Sequence, residues 1–371
     1  MGRSRSLDAG FLWGRHPQHR PGDVPAGRVA GMADGDPGTF AILCAGSGDA
    51  THPLGVGAVL GAFMLGGLGA AGVGLAQWIT GIGLITGEAG ARCVRGPFGS
   101  PNNLALYLGR VFPFLLSLLW SQSGKPGGPH SHGSGGLAWI RILAGIALIP
   151  VSLALVGTCS EGAGFLGIPT ALAVMGGLWL RDRWGRLSGR ARWGLSVLML
   201  TGVLVFAPMI APRLGEALAQ RAATPGSTVF FRIRLWASTM DLLREHPIFG
   251  VGPDNFLYWY RSRYIRPDAW QEPNLSHPHN VFLDFWARTG LLGLGAWIAW
   301  QTLFWRRVGR RGASQDPWRW GAAGAMADVL GHGLVDNGFF LVDLAMAFMI
   351  VFLTGTRGSI TQQEESVGEA G

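Results

Sequence analysis

The chain has 371 residues, of which 48% are hydrophobic and only 14% are charged, and it contains 60 glycines and 16 tryptophans. This composition excludes an ordinary soluble domain and indicates a protein that lies in a bilayer. The formal net charge of +8 comes almost entirely from arginine, since Lys125 is the only lysine, and much of it clusters between apolar stretches. We therefore attribute the charge to membrane topology and do not expect nucleic acid as a partner.

Predominantly apolar stretches, several of them without any charged residue, recur along the chain at the length that crosses a bilayer, about 20 residues, and they predict about eight spans. Residues 1–53 are rich in Gly, Pro and Arg without sustained periodicity, so we predict a disordered cytoplasmic segment there. Five spans are predicted within residues 54–211, three more within 281–356, and a cytoplasmic tail in 357–371. The predicted fold class is an all-α, polytopic transmembrane helix bundle.

Two short arginine-rich connections fix the predicted orientation. RDRWGRLSGRAR follows the fourth predicted span, and RRVGRR follows the sixth. Short loops rich in Lys and Arg stay on the cytoplasmic side, so the long connection at 212–280 is predicted to be extracytoplasmic. The alternation of spans also puts residues 80–102, the turn Thr158–Gly162 and the turn near Asp336 on the outer face.

The three cysteines, Cys44, Cys93 and Cys159, lack metal-type spacing, and their odd number excludes a full disulfide framework. One bridge, between Cys93 and Cys159, is compatible with the predicted topology.

At about 70 residues, the connection 212–280 is far longer than the roughly 4 to 6 residues of a typical connection. Within it, TVFFRIRLWASTMDLLREH has helical periodicity, with Arg232 and Trp236 on one stripe. An aromatic face in the membrane interface would leave Arg232 or Arg234 near the headgroup plane, where the arginine fork suits phosphate oxygens. The alternative is that these arginines only neutralise anionic lipid headgroups.

FGVGPDNF, with Gly250 and Gly252, predicts a glycine-dependent turn, and the spacing of the two glycines is weak evidence for phosphate binding. An aromatic cluster follows, which includes Tyr258 and Tyr260. Such rings stack on sugars, but Trp and Tyr also form the interfacial belts of membrane proteins. Both interpretations stay open.

HPHN stands where the connection re-enters the predicted bundle. A histidine with an ordinary pKa of about 6.5 can take a proton from a hydroxyl near neutral pH, so His277 and His279 are candidate bases. Helix capping or a local hydrogen bond is the alternative. The pair lacks a third metal ligand nearby in the sequence, so a metal site is not expected.

Asp328, His332 and Asp336 are spaced i, i+4, i+8 on one face of the seventh predicted span and its outer end. Ionisable groups inside a bilayer are candidates for function. A proton relay of a transporter is one interpretation, and a structural polar seam facing the bundle is the other.

Together these motifs resemble the O-antigen ligase and polymerase family of bacterial polysaccharide glycosyltransferases. The family's outer-loop signature is a histidine, then Asn, Ser or Gln, nine residues, a glycine, two residues and a further glycine, as in His279, Asn280, Gly290 and Gly293. An arginine, a tryptophan and a Pro and Gly-x-Gly segment are similar to Arg232, Trp236, Pro247, Gly250 and Gly252. An upstream Pro-Asn motif is similar to Pro101, Asn102, Asn103 and Tyr107.

The resemblance implies a metal-independent membrane glycosyltransferase without a cofactor, with its active site facing the extracytoplasmic side of the inner membrane. It implies transfer of a glycan from an undecaprenyl-diphosphate carrier to a hydroxyl of a glycan, lipid or protein acceptor. His279 would be the general base, and Arg232 would hold the diphosphate and stabilise its charge as it leaves. Further substrate contacts are expected from Arg234, Asn280, Asn102, Arg110, Tyr258 and Tyr260.

The chain departs from the family pattern in two respects. In TCSEGAG the family usually has a basic residue where this chain has Glu161. Either Arg110, Arg95 or Arg234 replaces it, or the carrier is bound differently, or activity is impaired. The family normally has about ten to twelve spans against about eight here, and our hypothesis is that the polar N-terminal segment stands in place of lost helices.

Ligase, chain-extending polymerase and protein O-glycosylating transferase share these motifs, so the acceptor stays open. The competing class is a non-enzymatic membrane carrier or export component for lipid-linked polysaccharide. The stripe of Asp328 and His332 would favour that class, whereas the outer-loop His279 and Arg232 favour catalysis.

Overall fold

The computed structural model describes residues 53–87, 90–120 and 134–357. The segments predicted at the two ends of the chain, 1–53 and 357–371, lie almost entirely outside these ranges.

The described residues are overwhelmingly helical. The helices are α1 (Pro53–Thr80), α2 (Pro101–Trp120), α3 (Ser134–Gly157), α4 (Ile168–Trp184), α5 (Gly189–Ala223), α6 (Thr228–Glu245), α7 (Phe256–Trp259), α8 (Val281–Val308), α9 (Pro317–Gly333) and α10 (Val342–Thr356). Two-residue strands β1 (Ile85–Thr86) and β2 (Arg92–Cys93) pair antiparallel between α1 and α2. A π-helix at Gly162–Gly167 leads into α4, and a second one at Tyr260–Tyr264 follows α7. This architecture confirms the predicted all-α class.

Within the described ranges, four helices are long and apolar enough to cross a bilayer: Gly57–Thr80, Pro101–Trp120, Ala138–Gly157 and Gly162–Trp184. Helix α10 is apolar but shorter. Large apolar side chains on α3 are exposed, among them Trp139, Leu143 and Ile146, as suits a surface that faces lipid. The chain is therefore a polytopic membrane protein, and the spans in α5, α8, α9 and α10 stay predictions.

Helix α5 is longer than the predicted fifth span. The prediction ended that span near residue 212, before the charge of Arg213, but the helix continues to Ala223 with Pro208 and Pro212 inside it. A charge ends an apolar stretch without ending a helix, because the backbone hydrogen bonds do not depend on side-chain polarity. The first part of the long connection is therefore helical.

Helix α9 lies at the centre of the bundle. Its Gly324 packs against Met175 of α4 and Pro113 of α2, with no room for a side chain. Small residues of this kind let helix backbones approach closely in a membrane protein. Asp328 and His332 on α9 are fully buried, so the polar stripe faces the bundle interior.

The two ends of the bundle are chemically different. At one end, Arg181 of α4 donates to the carbonyl oxygens of Gly309 (2.6 Å) and Arg310 (3.0 Å), so the two arginine-rich connections meet. At the opposite end of α4, the disulfide that the sequence left open is present and joins Cys93 to Cys159. His277 and His279 lie at this second end, just before the start of α8.

The FGVG segment packs into a kink in α8. Gly290 has φ 69° inside the helix, and the Leu291 N–H donates to the Ile248 carbonyl at 3.0 Å. A Cβ at Gly290 would clash with that carbonyl oxygen. Gly250 has φ 64°, and a Cβ there would clash with the carbonyl of Ala287. Both glycines are thus required by a close backbone crossing.

Candidate active site

The HPHN segment is fixed at the start of α8 by its last residue. The Asn280 side-chain oxygen accepts hydrogen bonds from the N–H groups of Phe282 and Leu283, which caps the helix, and its amide donates to the Leu334 carbonyl at 2.9 Å. The preceding residue, His279, has φ 49°, a left-handed conformation that residues other than glycine seldom adopt. The position of the histidine is therefore tightly constrained.

A single carboxylate joins the two histidines. His279 Nδ1 lies 2.8 Å from Asp336 Oδ1, and His277 Nε2 lies 3.3 Å from the same oxygen. Asp336 comes from the turn after α9 and is only 4% exposed. The backbone N–H of Asn337 donates to the same oxygen at 2.8 Å.

The electrostatics of this cluster determine which nitrogen carries the hydrogen. Burial acts to raise the pKa of Asp336, but the His279 charge and hydrogen bonds from both histidines outweigh it and hold this pKa well below its usual range. An ionised carboxylate only accepts hydrogen bonds, so the facing Nδ1 of His279 is assigned the hydrogen. The neutral ring then has its lone pair on Nε2.

His277 responds differently to the same carboxylate. Burial acts to lower its pKa, but the hydrogen bond with Asp336 and the charges of Asp336 and Asp284 outweigh burial, so the pKa of His277 is raised. His277 therefore keeps its proton to higher pH than an ordinary histidine.

A buried ion-pair network supports the segment. Arg288 of α8 donates to Asp284 at 2.7 Å and to the Ser276 carbonyl at 3.2 Å. Asp284 in turn accepts from the Asn337 amide at 2.7 Å. The network therefore ties the residues just before the histidines to the turn that carries Asp336.

Helix α6 brings an arginine to the same place. The Trp236 indole donates to the Pro278 carbonyl at 2.9 Å, which fastens α6 to the HPHN segment. Beside this contact is a cavity of about 200 Å³ lined by Arg232, His279 and Asn102, with Phe231, Leu235, Leu275 and Glu272 among its other walls. Three of the residues singled out from the sequence thus share one cavity.

The other predicted substrate contacts lie elsewhere in the structure. Arg234 pairs with Asp268 at 2.9 Å and stacks over the Phe230 ring. Arg110 is buried inside the bundle and donates to the Leu344 carbonyl. Tyr260 is 1% exposed, whereas Tyr258 is 71% exposed.

Asn280 and Tyr260 make contacts that stabilise the fold. Asn280 is the helix cap described above. Tyr260 belongs to a hydrophobic core with Leu235, Leu242 and Phe256, and burial, followed by the charge of Glu272, raises its pKa to about 12. The roles in substrate binding that the sequence suggested for these residues stay predictions.

Glu161, the acidic departure from the family pattern, has a basic partner. Its carboxylate accepts from Arg221 of α5 at 2.7 Å. The carbonyl of Arg221 accepts a hydrogen bond from Ser227, whose neighbours Gly226 and Thr228 line the cavity. The pairing brings a cation that the sequence did not suggest to Glu161, because α5 extends past its predicted end.

Asp336 is the functional candidate whose role the sequence analysis missed. The sequence offers the histidine pair no third ligand nearby, but in the structure a nitrogen of His277, a nitrogen of His279 and an oxygen of Asp336 lie within 4.8 Å of one another. A useful signal was present, because Asp336 was predicted at an outer turn on the same face as HPHN. Sequence distance alone hid the pairing.

Comparison with family models gives a match over part of the chain. A family model described as O-antigen ligase matches residues 146–298, a range that contains Glu161, Arg232 and His279 but neither Asn102 nor Asp336. No curated protein matches the chain. The family match confirms the resemblance drawn from the motifs and supports a protein similar to the O-antigen ligase and polymerase family.

Proposed function

We propose that this chain transfers a glycan from an undecaprenyl-diphosphate carrier to the hydroxyl of an acceptor, with His279 as general base. The observation that carries the proposal is the cavity shared by His279 and Arg232, with Asp336 behind the histidine. The family match supports the lipid-linked glycan as donor class.

The proposed reaction is a single displacement. His279 Nε2 takes the proton of the acceptor hydroxyl while its oxygen forms a bond to the anomeric carbon. The bond from that carbon to the carrier diphosphate breaks, and the diphosphate leaves with the electron pair. Asp336 accepts the Nδ1–H of the ring and stabilises the imidazolium that forms, as a carboxylate behind a histidine does in other enzymes.

Arginine side chains would balance the charge of the leaving group. Arg232 lines the cavity, and a guanidinium can bind phosphate oxygens through two parallel hydrogen bonds. Arg221, paired with Glu161, is proposed to replace the basic residue that the family usually has at the Glu161 position. Base and cation are then both supplied by side chains, so the proposed reaction is metal-independent.

The proposed site faces the extracytoplasmic side. Disulfides persist in oxidising compartments, and Cys93–Cys159 lies at the end of α4 opposite the arginine-rich connections. Those connections would be cytoplasmic by the positive-inside rule. Both arguments support the same orientation.

The test is glycan transfer by purified protein from an undecaprenyl-diphosphate donor, with a chelator present. We expect transfer with inversion at the anomeric carbon, and His279→Ala to lower the rate by about 10² to 10⁴. The matched control is His246→Ala, since His246 lies at the end of α6 and packs on Trp259. This variant should keep the wild-type rate of transfer. Full turnover by His279→Ala would exclude the mechanism.

The competing class is a membrane carrier that moves lipid-linked glycan without forming a bond. It predicts movement of the donor across proteoliposomes and no new glycosidic product. Product analysis by mass spectrometry separates the two, and it also separates ligase from polymerase, since a polymerase gives a ladder of repeat lengths.

A further inference from the structure

His277, His279 and Asp336 form a cluster that general base catalysis does not fully use. Asp336 and His279 have roles in the proposed reaction, whereas His277 has none. Yet His277 shares the Asp336 oxygen with His279, and the two imidazole rings are 4.2 Å apart. A second histidine in this position needs an explanation.

The donor atoms are of the kind and spacing that a transition metal requires. Two imidazole nitrogens and a carboxylate oxygen suit Zn²⁺ and its neighbours better than Mg²⁺ or Ca²⁺, which prefer oxygen. Bond lengths of about 2.1 Å place neighbouring ligands of a tetrahedral ion roughly 3.4 Å apart. The separations to Asp336 Oδ1 are 2.8 Å and 3.3 Å, so small side-chain rotations would admit an ion.

The surroundings are also those of a built site. Asp336 is 4% exposed, and His277 and His279 side chains are 21% and 22% exposed. Asn337 donates to the Asp336 carboxylate through its backbone and to Asp284 through its amide. Such surrounding hydrogen bonds orient metal ligands and strengthen binding. The partly open histidine side leaves a route for the ion to enter.

We infer that His277, His279 and Asp336 bind a divalent transition-metal ion of the Zn²⁺ class, and that the bound ion reversibly switches off glycan transfer. The second half rests on the proposed function. In the active ring, His279 Nδ1 carries the hydrogen that is donated to Asp336. The ion would replace that hydrogen and bind the lone pair of Nδ1. A neutral imidazole bound through Nδ1 carries its hydrogen on Nε2. That Nε2 cannot accept the proton of the acceptor hydroxyl.

The site is tested by zinc binding, independently of any activity. Calorimetric titration of the purified, chelator-treated protein with Zn²⁺ should show one binding site that depends on His277. Titration with Mg²⁺ is the negative control and should show no binding at this site. We expect His277→Ala and His277→Gln each to weaken zinc binding at least about tenfold. His246→Ala should bind zinc as the wild type does. Two replacements at His277, each checked for a single peak in size-exclusion chromatography, guard against a folding defect.

The switch is tested by glycan transfer with and without Zn²⁺, each variant being compared with its own metal-free rate. We expect saturating Zn²⁺ to lower the rate of wild-type transfer at least about tenfold, and a chelator to restore it. Inhibition of His277→Gln should need a zinc concentration at least about ten times higher. Equal zinc binding by wild type and His277 variants would overturn the site. Unchanged or faster transfer with zinc bound would overturn the switch. His277-dependent zinc binding by a protein that transfers nothing when metal-free would retain the site and overturn the proposed function.

Discussion

The lone pair on His279 Nε2 depends on one carboxylate that lies 57 residues further along the chain. Asp336→Asn keeps the shape of the side chain but lets its amide donate to Nδ1, which would move the ring hydrogen to Nε2. We expect transfer to fall by about 10² to 10⁴ with little change in donor KM. Steady-state kinetics check this. Glu216→Gln, at an exposed carboxylate on α5, is the control, and an equal loss there would point to general instability.

Proton binding by His277 gives a stability prediction whose sign follows from its pKa. The folded-state pKa is raised by Asp336, so the stabilisation is fully present below the ordinary pKa of about 6.5 and disappears as pH rises through the folded value. His277→Gln should therefore lower the melting temperature most at about pH 6 and least at about pH 9. Thermal unfolding in detergent measures this difference. A gap that widens toward alkaline pH would contradict the assignment.

Arg221 has a different expected phenotype, because its proposed role is in binding the carrier diphosphate and not in folding. The Arg221 and Glu161 side chains are 32% and 39% exposed, and an ion pair this open contributes only about 0 to 1 kcal/mol. We expect Arg221→Ala to raise the donor KM about tenfold, since charge-assisted bonds to phosphate contribute about 1.5 to 3 kcal/mol. Arg213→Ala on the same helix is the matched control. Equal KM values for the two variants would remove Arg221 from the site.

At the level of elements, the kink in α8 sets the position of both the HPHN segment and the FGVG turn. Gly290→Ala would place a side chain against the Ile248 carbonyl in a backbone with φ 69°, and we expect a loss of more than about 3 kcal/mol or failure to fold. Gly295→Ala, on the same helix with open space around the glycine, should change stability by less than about 1 kcal/mol. Expression level and unfolding temperature compare the pair. Similar stability of the two variants would show that the crossing can relax.

Elements were easier to predict than their contacts. Four spans follow from the length of predominantly apolar stretches, because the bilayer demands about 20 such residues whatever the packing. The extension of α5 to Ala223 and the resulting contact between Arg221 and Glu161 could not be predicted in this way, since polar helices carry no such length rule. Asp336 was assigned to a stripe on one helix, and only the packing of α9 against the start of α8 turns it toward His279.

At the scale of the whole molecule, the arginine-rich connections at one end of the bundle and the disulfide at the other support the same membrane orientation. Arg181 holds the arginine-rich connections together at one end, and Cys93–Cys159 joins β2 to the turn before the π-helix at the other. The disulfide thus fixes the segment preceding Glu161. The proposed outward-facing site is the orientation that would put the disulfide in an oxidising compartment and the arginine-rich connections in the cytoplasm.

This orientation predicts which surfaces a membrane-impermeant thiol reagent reaches. In a Cys44→Ser background, Ser262→Cys in the long connection and Arg186→Cys in the first arginine-rich connection each add one thiol at an exposed position. We expect the reagent to label Ser262→Cys in intact spheroplasts. It should label Arg186→Cys only after the spheroplasts are permeabilised. Cys93 and Cys159 should react only after reduction, because the disulfide blocks both sulfurs. Labelling of Arg186→Cys in intact cells would reverse the topology and place the His279 cavity on the side where lipid-linked precursors are built, which the proposed extracytoplasmic transfer does not allow.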